Sequence, residues 1–205
     1  MKKLIIISGI SGVGKSTLAK KMYQKIENST LISLDILAED IYDIMGFKDK
    51  GQKKELQLLY KKVYKMLIEE AMKRNDEVII VEYPFKKQWI TFFEKMITKY
   101  DYQAYTIHLF AKDFDTIWER LKIREHSVER HPSHYLQEYS LKKKEKYEPY
   151  FEYEYNTLKK EYDNLTSNCI NLGKVIKVED IEEFDIDKCI KSIIGGENGQ
   201  ASSNI

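Results

Sequence analysis

The sequence predicts an α/β fold, a parallel sheet with helices on both faces. Three observations predict it. Short apolar runs such as Leu4–Ser8 and Val78–Val81 show no polar alternation, as expected of strands buried on both faces. Segments with helical spacing separate them, which supplies the crossovers that parallel strands need. A glycine-rich stretch follows the first apolar run at once.

Leu4–Ser8 is the first strand. Thr17–Ile26 carries apolar residues at 18, 22 and 26, one face of a helix. Leu31–Leu34 is a second strand, and Ile36–Ile44 a helix opened by Asp35. Leu56, Leu59, Tyr60, Val63, Leu67 and Ala71 predict a long helix to about Arg74. Glu77–Val81 is a third strand ending at Glu82. Trp89–Tyr100 reads as helix, Tyr102–Phe110 as the fourth strand, and Asp113 as the cap of a helix over Phe114–Arg124. Residues 125–134 read as a loop. Tyr135–Tyr162 reads as one or two exposed helices. Lys174–Val178 is the fifth strand and Ile186–Ile194 the closing helix.

At 205 residues the chain suits one domain, placed at 1–194, with a disordered tail over 195–205. A formal net charge of +1 gives no global field toward nucleic acid or membrane. No stretch approaches the roughly 18 apolar residues of a membrane span. The opening apolar run is too short for a signal peptide, because Ser8-Gly9 interrupts it. A cytoplasmic location is expected. Cys169 and Cys189 form no ligand cluster and read as buried thiols.

Gly9-Ile10-Ser11-Gly12-Val13-Gly14-Lys15-Ser16 matches GxxxxGK[ST] at every fixed position. Strand before and helix after are the setting that the motif's chemistry requires. The glycines let the backbone curl so that several N–H groups face one anion, and the helix start adds its positive dipole end. Lys15 reaches the β- and γ-phosphates, Ser16 is placed to ligate Mg²⁺, and Thr17 adds a phosphate contact. The expected ligands are therefore ATP and Mg²⁺. The motif alone does not separate a kinase from a GTPase or a motor ATPase. No Asn-Lys-x-Asp guanine-reading stretch occurs, and size and layout favour a kinase.

Ligands in open α/β sheets bind beyond the carboxyl ends of the strands. Two acids stand there, Asp35 and Glu82. Asp35 is a candidate base for an attacking hydroxyl, and also a candidate helix cap. Glu82 occupies the place of a Walker B acid and serves either metal or substrate, the choice being open. Arg120, Arg124 and Arg130 follow the fourth strand, in a flap of about 120–135. Arginines there stabilise the charge that spreads over a transferring phosphoryl group. The competing reading is a solvated face paired with Glu119 and Glu125. His126, His131 and His134 share that loop without a metal-ligand spacing, and read as flap or substrate contacts.

With these residues in hand, the chain resembles the small P-loop kinases grouped with polynucleotide-kinase domains, zeta-toxin-like kinases and chloramphenicol phosphotransferase. The resemblance covers about residues 1–135. It implies a five-stranded parallel sheet in the order 2-3-1-4-5, with Lys15 and Ser16 as the P-loop pair, Asp35 as general base, and Arg120, Arg124 and Arg130 as the arginines of a helical lid. Polynucleotide kinases place an arginine three residues after the base. Here that position is Ala38, followed by Glu39, which argues against a nucleic-acid 5′ end as acceptor.

The tyrosines from Tyr135 to Tyr162 alternate with lysines and nearly as many acids, which favours an amphipathic face covering the core edge over a base-stacking surface. The expected function is transfer of the γ-phosphoryl group of ATP to a hydroxyl of a small molecule or nucleoside. The alternatives are a nucleotide or polynucleotide 5′-kinase, and an ATP-binding regulatory module with little turnover. Oligomeric state is left open.

Overall fold

A computed structural model describes residues 1–125, 130–146, 154–179 and 181–195. Five strands form one sheet: β1 (Lys2–Ser8), β2 (Ser29–Ser33), β3 (Val78–Glu82), β4 (Tyr102–Leu109) and β5 (Lys174–Val178). Their order is β2-β3-β1-β4-β5 and every pairing is parallel. The expected sheet is thus the observed one.

Alternation along β1 divides the interior into two cores. Leu4 and Ile6 face one layer, with Tyr64, Ile68 and Met72 of α3 (Lys50–Lys73) and Phe93 of α4 (Ile90–Tyr100). The helix α2 (Leu34–Met45) joins that layer through Leu34, Ala38 and Tyr42. Ile5 and Ile7 face the other, against Leu18 and Met22 of α1 (Lys15–Lys25). Ile117 and Leu121 of α5 (Phe114–Glu125) complete it. Leu158 of α6 (Tyr155–Ser167) and Ile193 of α7 (Ile186–Ile194) close that side. Leu4 to Ile7 are wholly buried, and each such side chain contributes about 1.5–3 kcal/mol relative to exposure. This central strand sets the height of the glycine-rich loop at its end.

Four details differ from the sequence reading. Leu34 is helical, not the end of a strand, and the cap of α2 is Ser33, whose Oγ accepts from the Ile36 N–H. Asp35 therefore sits inside the first turn. The long helix starts earlier than Leu56, because Asp49 caps it by accepting from the Gln52 N–H. The segment from Tyr135 is not simply exposed helix. Tyr135 and Tyr139 are buried, a short 3-10 stretch spans Leu141–Lys146, and among the described residues of the segment only Tyr155–Ser167 is α-helix. Tyr155 and Tyr162 pack at the core edge, their hydroxyls donating to Asp115 Oδ1 and the Ala111 carbonyl at 2.6 and 2.7 Å. Tyr147, Tyr150, Tyr153 and residues 196–205 of the expected tail lie outside the described residues. Both cysteines are thiols, but Cys169 is half-buried, while Cys189 is buried.

Among the described residues, no helix is long and apolar enough to cross a membrane.

Candidate active site

The site begins where β1 ends. Gly9 turns the chain with φ at 152°, and a Cβ there would stand 2.4 Å from the Leu109 carbonyl oxygen of β4. Only glycine lets the loop pass so close to the neighbouring strand. Gly12 (φ 89°) meets α5 instead. A Cβ on it would lie 3.1 Å from both Ile117 and Leu121. This close packing seats α5 directly on the loop. Ser11 and Gly14 are half-buried, and Val13 is anchored in the core.

Helix α1 starts at Lys15 with no side-chain cap and no acid in its first turn. The capped helices α2, α3, α5 and α7 have Ser33, Asp49, Asp113 and Asp185. The first N–H groups of α1 are thus left for an anionic ligand. Lys15 is 6% exposed, and its Nζ donates to the Ile10 carbonyl at 2.9 Å. Burial lowers its pKa from the ordinary lysine value, Glu82 and Asp35 oppose that shift, and Arg124 adds to it. Ser16 and Thr17 are exposed on the next positions of the helix.

Parallel register brings the acids to the same edge. Glu82 ends β3 opposite Ile7 of β1 and Ser33 of β2. It is 1% exposed. Its Oε1 accepts from Ser33 Oγ at 2.5 Å and its Oε2 from Ser16 Oγ at 3.4 Å. Burial raises its pKa, while Lys15 and the two serines hold it down and Asp35 pushes it up. Glu82 is therefore a buried acid at the strand end. The hydroxyl of Tyr64, rising from α3, donates to the Ile32 carbonyl at 3.1 Å and lies 3.4 Å from the Glu82 carbonyl. It ties the ends of β2 and β3 together.

Asp35 stands half-buried at the start of α2, and no described residue donates a hydrogen bond to its side chain. Its charge helps raise the pKa of Tyr60 and Tyr83, both raised first by burial. Ala38, on the same helix, is buried at 4% exposure, so no phosphate-gripping side chain occupies that position.

The three arginines have different neighbours. Arg120 reaches Glu182 at 3.6 Å, beyond β5. Glu119, its supposed partner, instead pairs with Lys122 at 2.7 Å. Arg124 is close enough for its charge to act on Lys15. Arg130 is close enough for its charge to act on Glu39 of α2. Beside it, His131 Nε2 lies 3.0 Å from Asp43 Oδ1, and His134 Nε2 lies 2.6 Å from Glu39 Oε1. His126 falls outside the described residues.

Sequence reasoning missed Ser33, Tyr64 and both histidine–carboxylate pairs. Ser33 had a usable signal, a serine just before the apolar period of a helix. The others join residues far apart in the chain and have none.

Comparison with known proteins agrees with this fold. The AAA domain family matches residues 4–149, more than half of the chain. The chain belongs to the AAA domain family. Within that P-loop family its sheet order is of the kinase type. A "putative kinase" from Chloroflexus aurantiacus is similar in structure with a TM-score of 0.74 at 18% identity, covering 96% of this chain and 99% of that one. A tunicamycin resistance protein from Deinococcus radiodurans reaches 0.57 at 13% identity, covering 95% of each. At such identities the likeness is one of fold. No curated protein matches the chain.

Proposed function

We propose that this AAA-family protein is an ATP-dependent kinase that transfers the γ-phosphoryl group to a hydroxyl of a small molecule or nucleoside. One observation carries the reading. Lys15, Glu82 and Asp35 meet at one end of the sheet, at the mouth of an uncapped helix, with Arg124 acting on the same lysine. A nucleotide-binding module without turnover has no need of an unbonded carboxylate such as Asp35 at that point.

In this reading the loop from Gly9 to Gly14 and the first turn of α1 hold the phosphates, and Lys15 shifts from the Ile10 carbonyl to them. Mg²⁺, when bound with the nucleotide, neutralises phosphate charge, and Ser16 with Glu82 beside it is the pair that would hold it. The hydroxyl oxygen of the acceptor attacks the γ-phosphorus, and the bond from that phosphorus to the bridging oxygen breaks. ADP leaves, and Asp35 takes the hydroxyl proton. Arg124 and Arg130 stabilise the spreading charge. Arg120 is engaged by Glu182 and supports the helix carrying Arg124. The buried Ala38 supports an acceptor without a terminal phosphate, so nucleic acid is not the expected partner.

The test is transfer of labelled γ-phosphate from ATP to pooled nucleosides, sugars, aminoglycosides, chloramphenicol, tunicamycin and 5′-hydroxyl oligonucleotides. A labelled small-molecule product, absent with Asp35→Asn while ATP still binds, is the expected result. Full transfer by Asp35→Asn would sink the assignment of the base. Binding of ATP with no product from any pool would favour a regulatory module.

A further inference from the structure

Helix α2 carries a row of carboxylates, Asp35, Glu39 and Asp43, spaced four residues apart and so on adjoining parts of one face. The first stands at the reaction end of the sheet. The other two are taken by the segment after α5. Glu39 pairs with His134 at 2.6 Å. Asp43 pairs with His131 at 3.0 Å and accepts a short hydrogen bond from the Tyr139 hydroxyl.

The contact is built, not incidental. His131 is held by its other ring nitrogen, 2.7 Å from the buried Ser133 hydroxyl. Pro132 starts a 3-10 turn that places His134 three residues on. The backbone then joins antiparallel to the end of α2, with Phe47 N–H donating to the Tyr139 carbonyl at 2.9 Å and Tyr139 N–H returning the bond at 2.7 Å. Lys53 of α3 donates to the Leu136 carbonyl at 2.9 Å. Tyr139 is buried against Phe47, and His131 lies over its ring, with centroids 5.3 Å apart. Arg130 is the residue next to His131, and its charge reaches Glu39.

We propose that His131 and His134 are positioning residues that fasten the 130–139 segment to Glu39 and Asp43, so that one helix sets the places of both Asp35 and Arg130. This rests on the kinase reading for its catalytic consequence, but the fastening itself does not. The groups on one side of the contact are Glu39, Asp43 and Lys53, and on the other Arg130, His131, His134 and Tyr139. Charge-assisted pairs of this kind restrain a segment more strongly than neutral contacts do. A phosphate-contacting arginine displaced by about 1 Å loses much of its effect.

Two measurements on the full chain test it. The first is amide exchange at Phe47 and Tyr139, whose N–H groups form the bridge. The double variant His131→Ala, His134→Ala should exchange there at least tenfold faster, with the strand amides of β1 unchanged. Protection equal to wild type overturns the proposal whether or not the protein is a kinase. The second uses the acceptor found above. His134→Ala should lower kcat about tenfold with KM for ATP within twofold, and His134→Gln, which keeps a donor for Glu39, should restore most of the rate. Arg130→Ala should cost about tenfold alone but less than threefold in the His134→Ala background, because the arginine is already misplaced. Independent, multiplicative losses overturn the proposal. If wild type transfers phosphate to nothing, the kinase reading fails and the exchange result alone decides the fastening.

Discussion

Ser33 Oγ donates to Glu82 Oε1 at 2.5 Å, across the pair of residues that end β2 and β3 in register. The same serine oxygen caps α2. One hydroxyl thus joins the buried acid to the helix that carries Asp35. Replacing Ser33 with alanine should have two separable effects. Loss of the cap should lower stability by about 1 kcal/mol, a fall of about 2–4 °C in Tm. Loss of the hydrogen bond removes one of the influences holding the Glu82 pKa down. Any acid limb of the rate profile that belongs to Glu82 should then move to higher pH, since its ionised form is less favoured. A fall in Tm with an unmoved acid limb would show that Glu82 does not control that limb.

Gly12 is the point where the phosphate loop and α5 touch. Alanine there would be strained by φ of 89° and would press on Ile117 and Leu121 at 3.1 Å. The cost should be about 1–3 kcal/mol. Because α5 carries Arg120 and Arg124, displacement should also reach the site. The expected result for Gly12→Ala is a lower Tm and at least tenfold weaker ATP binding by calorimetry. Unchanged ATP affinity would mean that the loop keeps its shape while α5 yields.

Much of this fold is legible in the residues alone. The apolar run of β1 announces a central buried strand, and GxxxxGKS marks a phosphate loop and a helix start directly after it. Asp35 and Glu82 are legible because each closes a strand-like run, and ligands in such sheets collect there. Ser33 reads as strand because propensity favours continuing Leu31-Ile32, while the cap depends on where the chain turns. Tyr135 and Tyr139 read as exposed because their neighbours are charged. They are buried because the segment pairs with Phe47, a contact across the chain that no local period encodes. The neighbours of Arg120 and Arg130 are illegible for the same reason, since Glu182 and Glu39 are distant in sequence.

Tyr64 offers a test of how the strand ends are held. It is fully buried, and its hydroxyl serves the Ile32 and Glu82 carbonyls. Phenylalanine would fit the same space and leave those carbonyls without the donor. The expected loss is about 1–3 kcal/mol in urea unfolding. A kcat loss with ATP binding retained should accompany it, since the positions of Glu82 and Asp35 both depend on these ends. A stability loss with an unaltered kcat would show that the site tolerates movement of β2 against β3.

The Glu39–His134 contact predicts a direction for pH dependence. Burial by itself would raise the Glu39 pKa, but the hydrogen bond and charge of His134, then the charges of His131 and Arg130, bring it below the ordinary value of 4.5. A carboxylate with a lowered folded pKa binds fewer protons folded than unfolded between the two values, so stability rises with pH there. The contribution is fully present above the unfolded value and is lost as pH falls through the folded one. Glu39 is partly exposed, so its worth is about 1 kcal/mol after solvent screening. Wild type should therefore exceed Glu39→Gln by that amount in urea unfolding near neutral pH, and the gap should close as pH drops below 4.5. Glu82, whose burial acts in the opposite sense, is common to both proteins and cancels from the difference. A gap that stays constant with pH would show that Glu39 contributes by packing, not by charge.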